Sequence, residues 1–310
     1  MKKRVLVTGG AGFIGSHLIN RLLEEGGNVT TIDNLTTGFK KNIPSEATFI
    51  KGDCGDHKVY RKIKKKKFDA IFHIAGQSSG EVSFDDPIYD INSNTSSTIL
   101  LLKFALKIGC KRFIFASTMS VYGVKSNSPV KESSKTFPES FYGISKLASE
   151  NYLRIFENYG IKYTSLRLFN VYGPGQNMTN LRQGMVSIFM SQLINLGKIH
   201  VKGSSSRYRD FIYIDDVVEY FYRCLNNNKS KGKIINIGTG KKTFVYQIID
   251  KLKSYTTDKR IPVKYNGSTK GDIKGIYADT KLKKEIFGKI KETKIQEGLF
   301  KMYKSSIKQK

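Results

Sequence analysis

Short apolar runs rich in β-branched residues alternate along this chain with longer stretches of helical period. Arg4–Thr8 reads as a buried strand, and residues 13–25 as the helix after it. Further strands are expected at 28–32, Thr48–Lys51, Ala70–His73, 112–116 and Lys162–Leu168. Between them, residues 90–108 read as one long helix with Ile91, Thr95, Ile99, Leu102 and Leu106 on a common face. Residues 141–159 form another. Strands separated by helices imply parallel β-α-β units with right-handed crossovers, hence an α/β fold with a doubly wound parallel sheet. After about Gly173 the alternation loosens, and Gly, Asn and Lys become frequent. The expected division is a first unit over 1–172 and a smaller mixed α/β unit over 173–310, with segments near 211–240 returning to the first.

Composition adds limits. A chain of 310 residues has enough length to bury a core without disulfides or metals. Cys54, Cys110 and Cys224 are scattered with no C-x-x-C pair, which fits a reducing compartment and no metal site. No apolar run approaches the roughly 18 to 20 residues of a membrane helix. The start passes directly into structured sequence, so no signal peptide is expected and the location expected is cytoplasmic. The formal charge of +27 invites a nucleic-acid partner. Of the 53 basic residues, however, 42 are lysine and 11 arginine, whereas base readout favours arginine. Residues 229–310 carry 22 basic and 7 acidic side chains, so the excess is steepest in the second unit. A solvated lysine surface is the simpler reading.

The chemistry begins at Thr8-Gly9-Gly10-Ala11-Gly12-Phe13-Ile14-Gly15. This G-x-x-G-x-x-G loop follows a strand and opens a helix, which puts backbone N–H groups and the positive helix end where a pyrophosphate can sit. The sheet is therefore expected to be of Rossmann type. Asp33 ends the second strand, where a carboxylate accepts from a ribose 2′-hydroxyl and repels a 2′-phosphate, favouring NAD over NADP. Gly52-Asp53 is placed to reach the adenine. Tyr142 and Lys146 stand at i and i+4 on one helix face. A cation beside a phenol favours the phenolate, so Tyr142 could take a proton from a sugar hydroxyl. Ser117, Thr118 and Ser120 cluster at the carboxyl end of the fifth strand, where open α/β sheets place ligands. Thr118 could donate to the substrate oxygen and relay its proton to Tyr142.

With these residues the chain resembles the extended short-chain dehydrogenase/reductases, in particular the nucleotide-sugar epimerase/dehydratase group and its UDP-glucose 4-epimerase-type members. The likeness extends through Asp33-Asn34-Leu35-Thr36-Thr37-Gly38, His73-Ile74-Ala75-Gly76-Gln77, Asp90-Ile91-Asn92 and Ser117 to Gly123. It continues in Tyr142 to Lys146, Arg167 to Gln176, Arg209 to Val217, Asn236 to Gly240 and Gly271-Asp272. The resemblance implies that Gly9, Gly12, Phe13, Ile14, Gly15, Asp33, Asn34, Leu35, Gly38, Asp53, Cys54, Ala75, Gln77 and Asn92 surround NAD. It implies a catalytic set of Thr118, Tyr142 and Lys146. Ser79, Thr118, Tyr142, Asn170, Gln176 and Arg209 would contact a nucleotide-sugar substrate, with Asn170 and Arg209 on its diphosphate. It also implies a homodimer formed through the helices at 90–108 and 141–159.

Three departures from the family pattern bear on the reaction. Met119 and Ser120 stand where many dehydratases carry an acid, so water elimination is disfavoured. Lys270 replaces an arginine before Gly271-Asp272 and lacks its bidentate grip. Glu81 replaces a basic residue and would discourage a carboxylated sugar. The expected function is an NAD-dependent nucleotide-sugar 4-epimerase of UDP-hexose type, working through a 4-keto sugar. The alternatives are a nucleotide-sugar oxidoreductase or an epimerase at another carbon of a deoxysugar nucleotide. More remote is a non-catalytic nucleic-acid-binding relative. Neither nucleic acid nor membrane is an expected partner.

Overall fold

The computed structural model describes residues 2–63, 67–123, 128–257, 260–268 and 273–308. The chain runs β1 (Arg4–Thr8), α1 (Phe13–Glu24), β2 (Asn28–Asp33), β3 (Thr48–Lys51), β4 (Ala70–His73), α2 (Gly80–Ser83), α3 (Pro87–Ile91), α4 (Ser97–Lys107), β5 (Arg112–Thr118), α5 (Phe141–Glu157) and β6 (Lys162–Leu168). It continues with β7 (Asn170–Tyr172), α6 (Met185–Leu196), β8 (Ile199–Lys202), β9 (Tyr208–Arg209), β10 (Phe211–Tyr213), α7 (Ile214–Cys224), β11 (Lys233–Ile237), β12 (Thr243–Phe244), α8 (Val245–Lys253), β13 (Val263–Asn266), β14 (Gly275–Ile276), α9 (Lys281–Phe287) and α10 (Ile295–Ile307).

Among the described residues, seven strands form one sheet in the order β11-β6-β5-β4-β1-β2-β3, every pair parallel. This is the Rossmann-type order. The chain leaves β1 toward β2 on one side and returns to β4 on the other, so a crevice opens between β1 and β4 at their carboxyl ends. Because successive side chains alternate, each central strand feeds two cores. Val5, Val7 and Ile114 join the core that includes residues of α1 and α7, while Leu6, Phe113 and Phe115 join the one that includes residues of α4. Burial on both faces is why these strands read as nearly continuous apolar runs. β11, distant in sequence, extends the sheet beyond β6. The other strands gather into small sheets, β10-β7, β12-β9-β14 and β13-β8.

The expected helix at 90–108 is corrected. Residues 92–96 form a π-helical turn between α3 and α4. The wider turn shifts the phase of everything after it, so a straight 3.6 period cannot hold across it. Ile91 and Leu106 are consequently exposed, whereas Asp90, Asn94, Thr95, Thr98, Leu101 and Leu102 are buried. Hydroxyls occupy the carbonyls that the turn loosens: Thr98 Oγ1 donates to Asn94 O at 2.6 Å and Ser97 Oγ to Ser93 O at 2.6 Å.

Candidate active site

The glycine loop follows β1 at the crevice. Gly9 sits at φ +77°, a conformation that disfavours any side chain. A Cβ on Gly15 would lie 2.0 Å from the Gly9 carbonyl oxygen, so the loop can fold onto α1 only with glycine there. The first turn of α1 has no side-chain cap at Gly12, and its residues line an open cleft. That cleft, of about 550 Å³, is lined by Gly9, Gly12, Phe13, Ile14 and Gly15 at this end. A glycine-rich loop at an uncapped helix start suits a pyrophosphate.

Asp33 ends β2 and holds the loop: its carboxylate accepts from Ala11 N at 2.9 Å and from Leu35 N at 2.7 Å. A carboxylate has about four lone-pair sites, which leaves capacity for a ribose hydroxyl. Asn34 Nδ2 donates to Asp53 Oδ2 at 2.8 Å, joining the ends of β2 and β3. Asn34, Asp53, Cys54, Ala75 and Gln77 all line the cleft. Burial pushes the Cys54 thiol up, so it packs as an apolar group. Three expected residues lie outside the lining. Leu35 takes the left-handed turn at φ +64°, and Gly38 packs on the Ala11 backbone. Asn92 is exposed, with its backbone carbonyl beside Gly55.

At the far end stand Thr118, Tyr142 and Lys146. α5 starts at Ser140, whose Oγ accepts from Gly143 N at 3.2 Å. Its inward face carries Tyr142, Lys146 and Glu150, one turn apart. Lys146 Nζ donates to Ala116 O at 3.0 Å and lies 4.8 Å from the Phe115 ring. Burial drives Lys146 down to about 8, against the pull of Asp90 and Glu150. Burial pushes Tyr142 up to about 12; the Thr118 hydrogen bond works downward and Asp90 upward. Beneath them His73 is held between Thr8 Oγ1 at 2.8 Å and Thr98 Oγ1 at 3.1 Å. Burial, helped by Lys146, lowers it to about 3, so it is neutral.

A second cavity of about 610 Å³ adjoins the cleft. Ser78, Ser79, Met119, Ser120 and Asn170 border both. Asn170 Nδ2 donates to Asp210 O at 3.2 Å. Arg209 lines the second cavity, its guanidinium braced on Tyr208 O at 2.7 Å and Ile273 O at 2.8 Å. Gln176 borders the first cleft, and its Oε1 is a buried acceptor with no partner among the described residues. Glu81 is at the rim of the second cavity, paired with Lys202 at 3.2 Å and Arg182 at 3.7 Å, so its charge is offset by two cations. Glu139 also borders this cavity and not the dinucleotide cleft. Lys270 and Gly271-Asp272 lie outside the described residues.

The model of the NAD-dependent epimerase/dehydratase family matches residues 5–238. The chain belongs to that family. A putative UDP-glucose 4-epimerase of Methanocaldococcus jannaschii is 37% identical over 95% of both chains. The crystal structure of Thermotoga maritima UDP-glucose 4-epimerase with UDP-glucose superposes with a TM-score of 0.94, at 35% identity and 99% coverage of both. A UDP-N-acetylglucosamine 4-epimerase from Methanobrevibacter ruminantium, in complex with UDP-N-acetylmuramic acid, gives 0.93 at 32% identity and 100% coverage of both. Within this family member the sequence reading passed over several site residues. Asn94, Ser78 and Gln183 are polar residues without a motif of their own, and Ser145 stood inside the Tyr142 to Lys146 motif without a role. Asp90 stood in a recognised motif without a role. Among the described residues no helix is long and apolar enough to cross a membrane, and no acid, His or Cys cluster could hold a metal.

Proposed function

We propose that this family member is a nucleotide-sugar 4-epimerase acting on UDP-hexoses with bound NAD. The observation that carries this reading is one continuous site. Thr118, Tyr142 and Lys146 line the dinucleotide cleft, where its wall becomes that of the second cavity. The cleft end with Gly9, Gly12, Gly15 and Asp33 would hold the pyrophosphate and adenosine ribose. Held there, NAD would supply reversible hydride acceptance from C4 of the sugar. Tyr142 accepts the 4-hydroxyl proton and later returns it, with Thr118 bridging phenol and sugar oxygen. Lys146 supplies the positive charge that a buried phenolate requires. Asn170 and Arg209 hold the diphosphate while the 4-keto sugar turns over. Met119 and Ser120 border both cavities in place of an acid, and Glu81 and Glu139 border the second cavity and not the cleft that holds Tyr142, which supports epimerisation over water elimination.

The test is turnover of UDP-glucose, UDP-galactose and their N-acetyl forms by NAD-loaded protein. Interconversion of at least one pair without net NADH release is expected. Failure on all four removes the UDP-hexose reading, and stoichiometric NADH release would make the protein an oxidoreductase.

The same reading includes a homodimer. α5 exposes Phe141, Ile144, Tyr152 and Ile155, and α3 exposes Ile88 and Ile91. An apolar stripe of this length along two adjacent helices suits a second copy of the same face. Sedimentation should give a dimer, and Ile144→Glu with Ile155→Glu a monomer. A wild-type monomer would remove the proposal.

A further inference from the structure

Asp90 is a carboxylate with 1% exposure, and among the described residues it forms no ion pair. Its ligands are neutral. Oδ1 accepts from Gln77 Nε2 at 2.8 Å and Asn94 Nδ2 at 3.2 Å, and Oδ2 accepts from Ser145 Oγ. Each of these donors is itself fixed. Gln77 Nε2 also reaches Ser79 O at 2.8 Å, and Asn94 Nδ2 reaches Gln77 O at 3.0 Å. Burying a charge on neutral donors alone costs stability, and an asparagine could satisfy much of the same geometry. The charge therefore needs a reason. Ser145 is the residue before Lys146 and three after Tyr142, so the Asp90 bond clamps the helix that carries both.

We infer that Asp90 is a positioning residue for the reaction: its buried carboxylate fixes the Tyr142–Lys146 segment of α5 and balances the Lys146 cation. This rests on the reading of Tyr142 as the base. The other charged groups around the pair are engaged elsewhere. Glu150 of α5 is bonded to Arg167 of β6, at 2.7 Å. His73 of β4 is neutral. Glu81 of α2 pairs at the rim with Lys202 and Arg182. Lys103 and Lys107 of α4 are exposed, and Arg112 of β5 is spent on Cys224 O. Glu150 also pulls on Lys146, but Asp90 is the carboxylate that acts on both members of the pair. Its negative charge favours the protonated form of both groups. Removing it lowers the proton affinity of tyrosine and lysine together, so both limbs of a bell-shaped kcat profile move the same way.

The test is Asp90→Asn, assayed on the nucleotide sugar turned over in the panel above. Both limbs should move to lower pH by about one unit, with kcat at the optimum down about tenfold and KM little changed. A second readout is independent of activity. The phenolate absorbance difference between an NAD-loaded protein and its own Tyr142→Phe version reports Tyr142 alone. In the Asp90→Asn background that titration should begin at lower pH. Limbs and titration left in place would overturn the inference, whatever the loss of rate. If Asp90→Asn does not fold, Ser145→Ala tests the clamp with the charge kept: kcat should fall about tenfold with the limbs unmoved, and an unchanged kcat overturns it. An active Tyr142→Phe enzyme would instead defeat the underlying reading.

Discussion

Replacing Tyr142 by phenylalanine is expected to lower kcat by about a thousandfold while the protein keeps its NAD. The ring is buried and fills its space without the hydroxyl. What is lost is a single oxygen, the one whose proton Thr118 helps to loosen. Burial holds the phenol up to about 12, so it releases its proton only where positive charge is close. Lys146, on the next turn of the same helix face, is a built-in source. Burial has lowered that lysine to about 8, so its cation is present below pH 8 and lost above it. The wild-type rate should therefore stop rising with pH at about 8, because above it the cation is lost as fast as the phenolate is gained. Quantifying NAD released on denaturation, alongside kcat, separates loss of the base from loss of the cofactor. A Tyr142→Phe protein within about tenfold of wild type would exclude the phenol as the base.

The parts of this site legible in the sequence were those written in local rules. β1, the glycine loop and α1 each obey one short pattern, and Tyr142 and Lys146 are a helical pair by spacing alone. What escaped depended on one extra residue or on partners far away in the chain. The π-helical turn at 92–96 leaves no mark in composition, yet it turns Ile91 and Leu106 outward and Asn94 inward. Asp90 acquires its meaning from Gln77 and Ser145, which lie 13 and 55 residues away. Gln77, expected along the cofactor path, does border the cleft, but its amide is committed to Asp90 and Ser79. The Glu81 charge, read as exposed to a sugar, is met by Lys202 and Arg182, from segments more than a hundred residues later. Contacts of that separation are set by the fold, and no periodicity encodes them.

Arg167→Met should destabilise the protein by about 3–5 kcal/mol, with Tm falling by roughly 5–8 °C. Arg167 grips Glu150 through two nitrogens, Nε at 3.0 Å and Nη2 at 2.7 Å, with side-chain exposures of 4% and 2%. Burial works against the guanidinium charge, but the Glu150 hydrogen bonds more than offset it, and its pKa is raised. Arg167 also lies 4.7 Å from the Tyr122 ring, and the Tyr122 hydroxyl donates to Asn236 Oδ1 at 2.6 Å, in β11. The arginine therefore joins α5 to the edge of the sheet that β11 completes. Methionine fills the volume but strands Glu150 as a buried carboxylate with Ser165 Oγ, at 3.1 Å, as its remaining donor. The cost should come mainly from that stranded charge. If so, Arg167→Met with Glu150→Leu should recover most of the loss, because replacing both partners of a buried pair is often near neutral. Denaturant melts of the two single variants and the double variant measure the coupling directly. A double variant no more stable than Arg167→Met would show that the guanidinium's contacts to Tyr122 and to Glu132 O, at 3.2 Å, carry the stability, and not the ion pair.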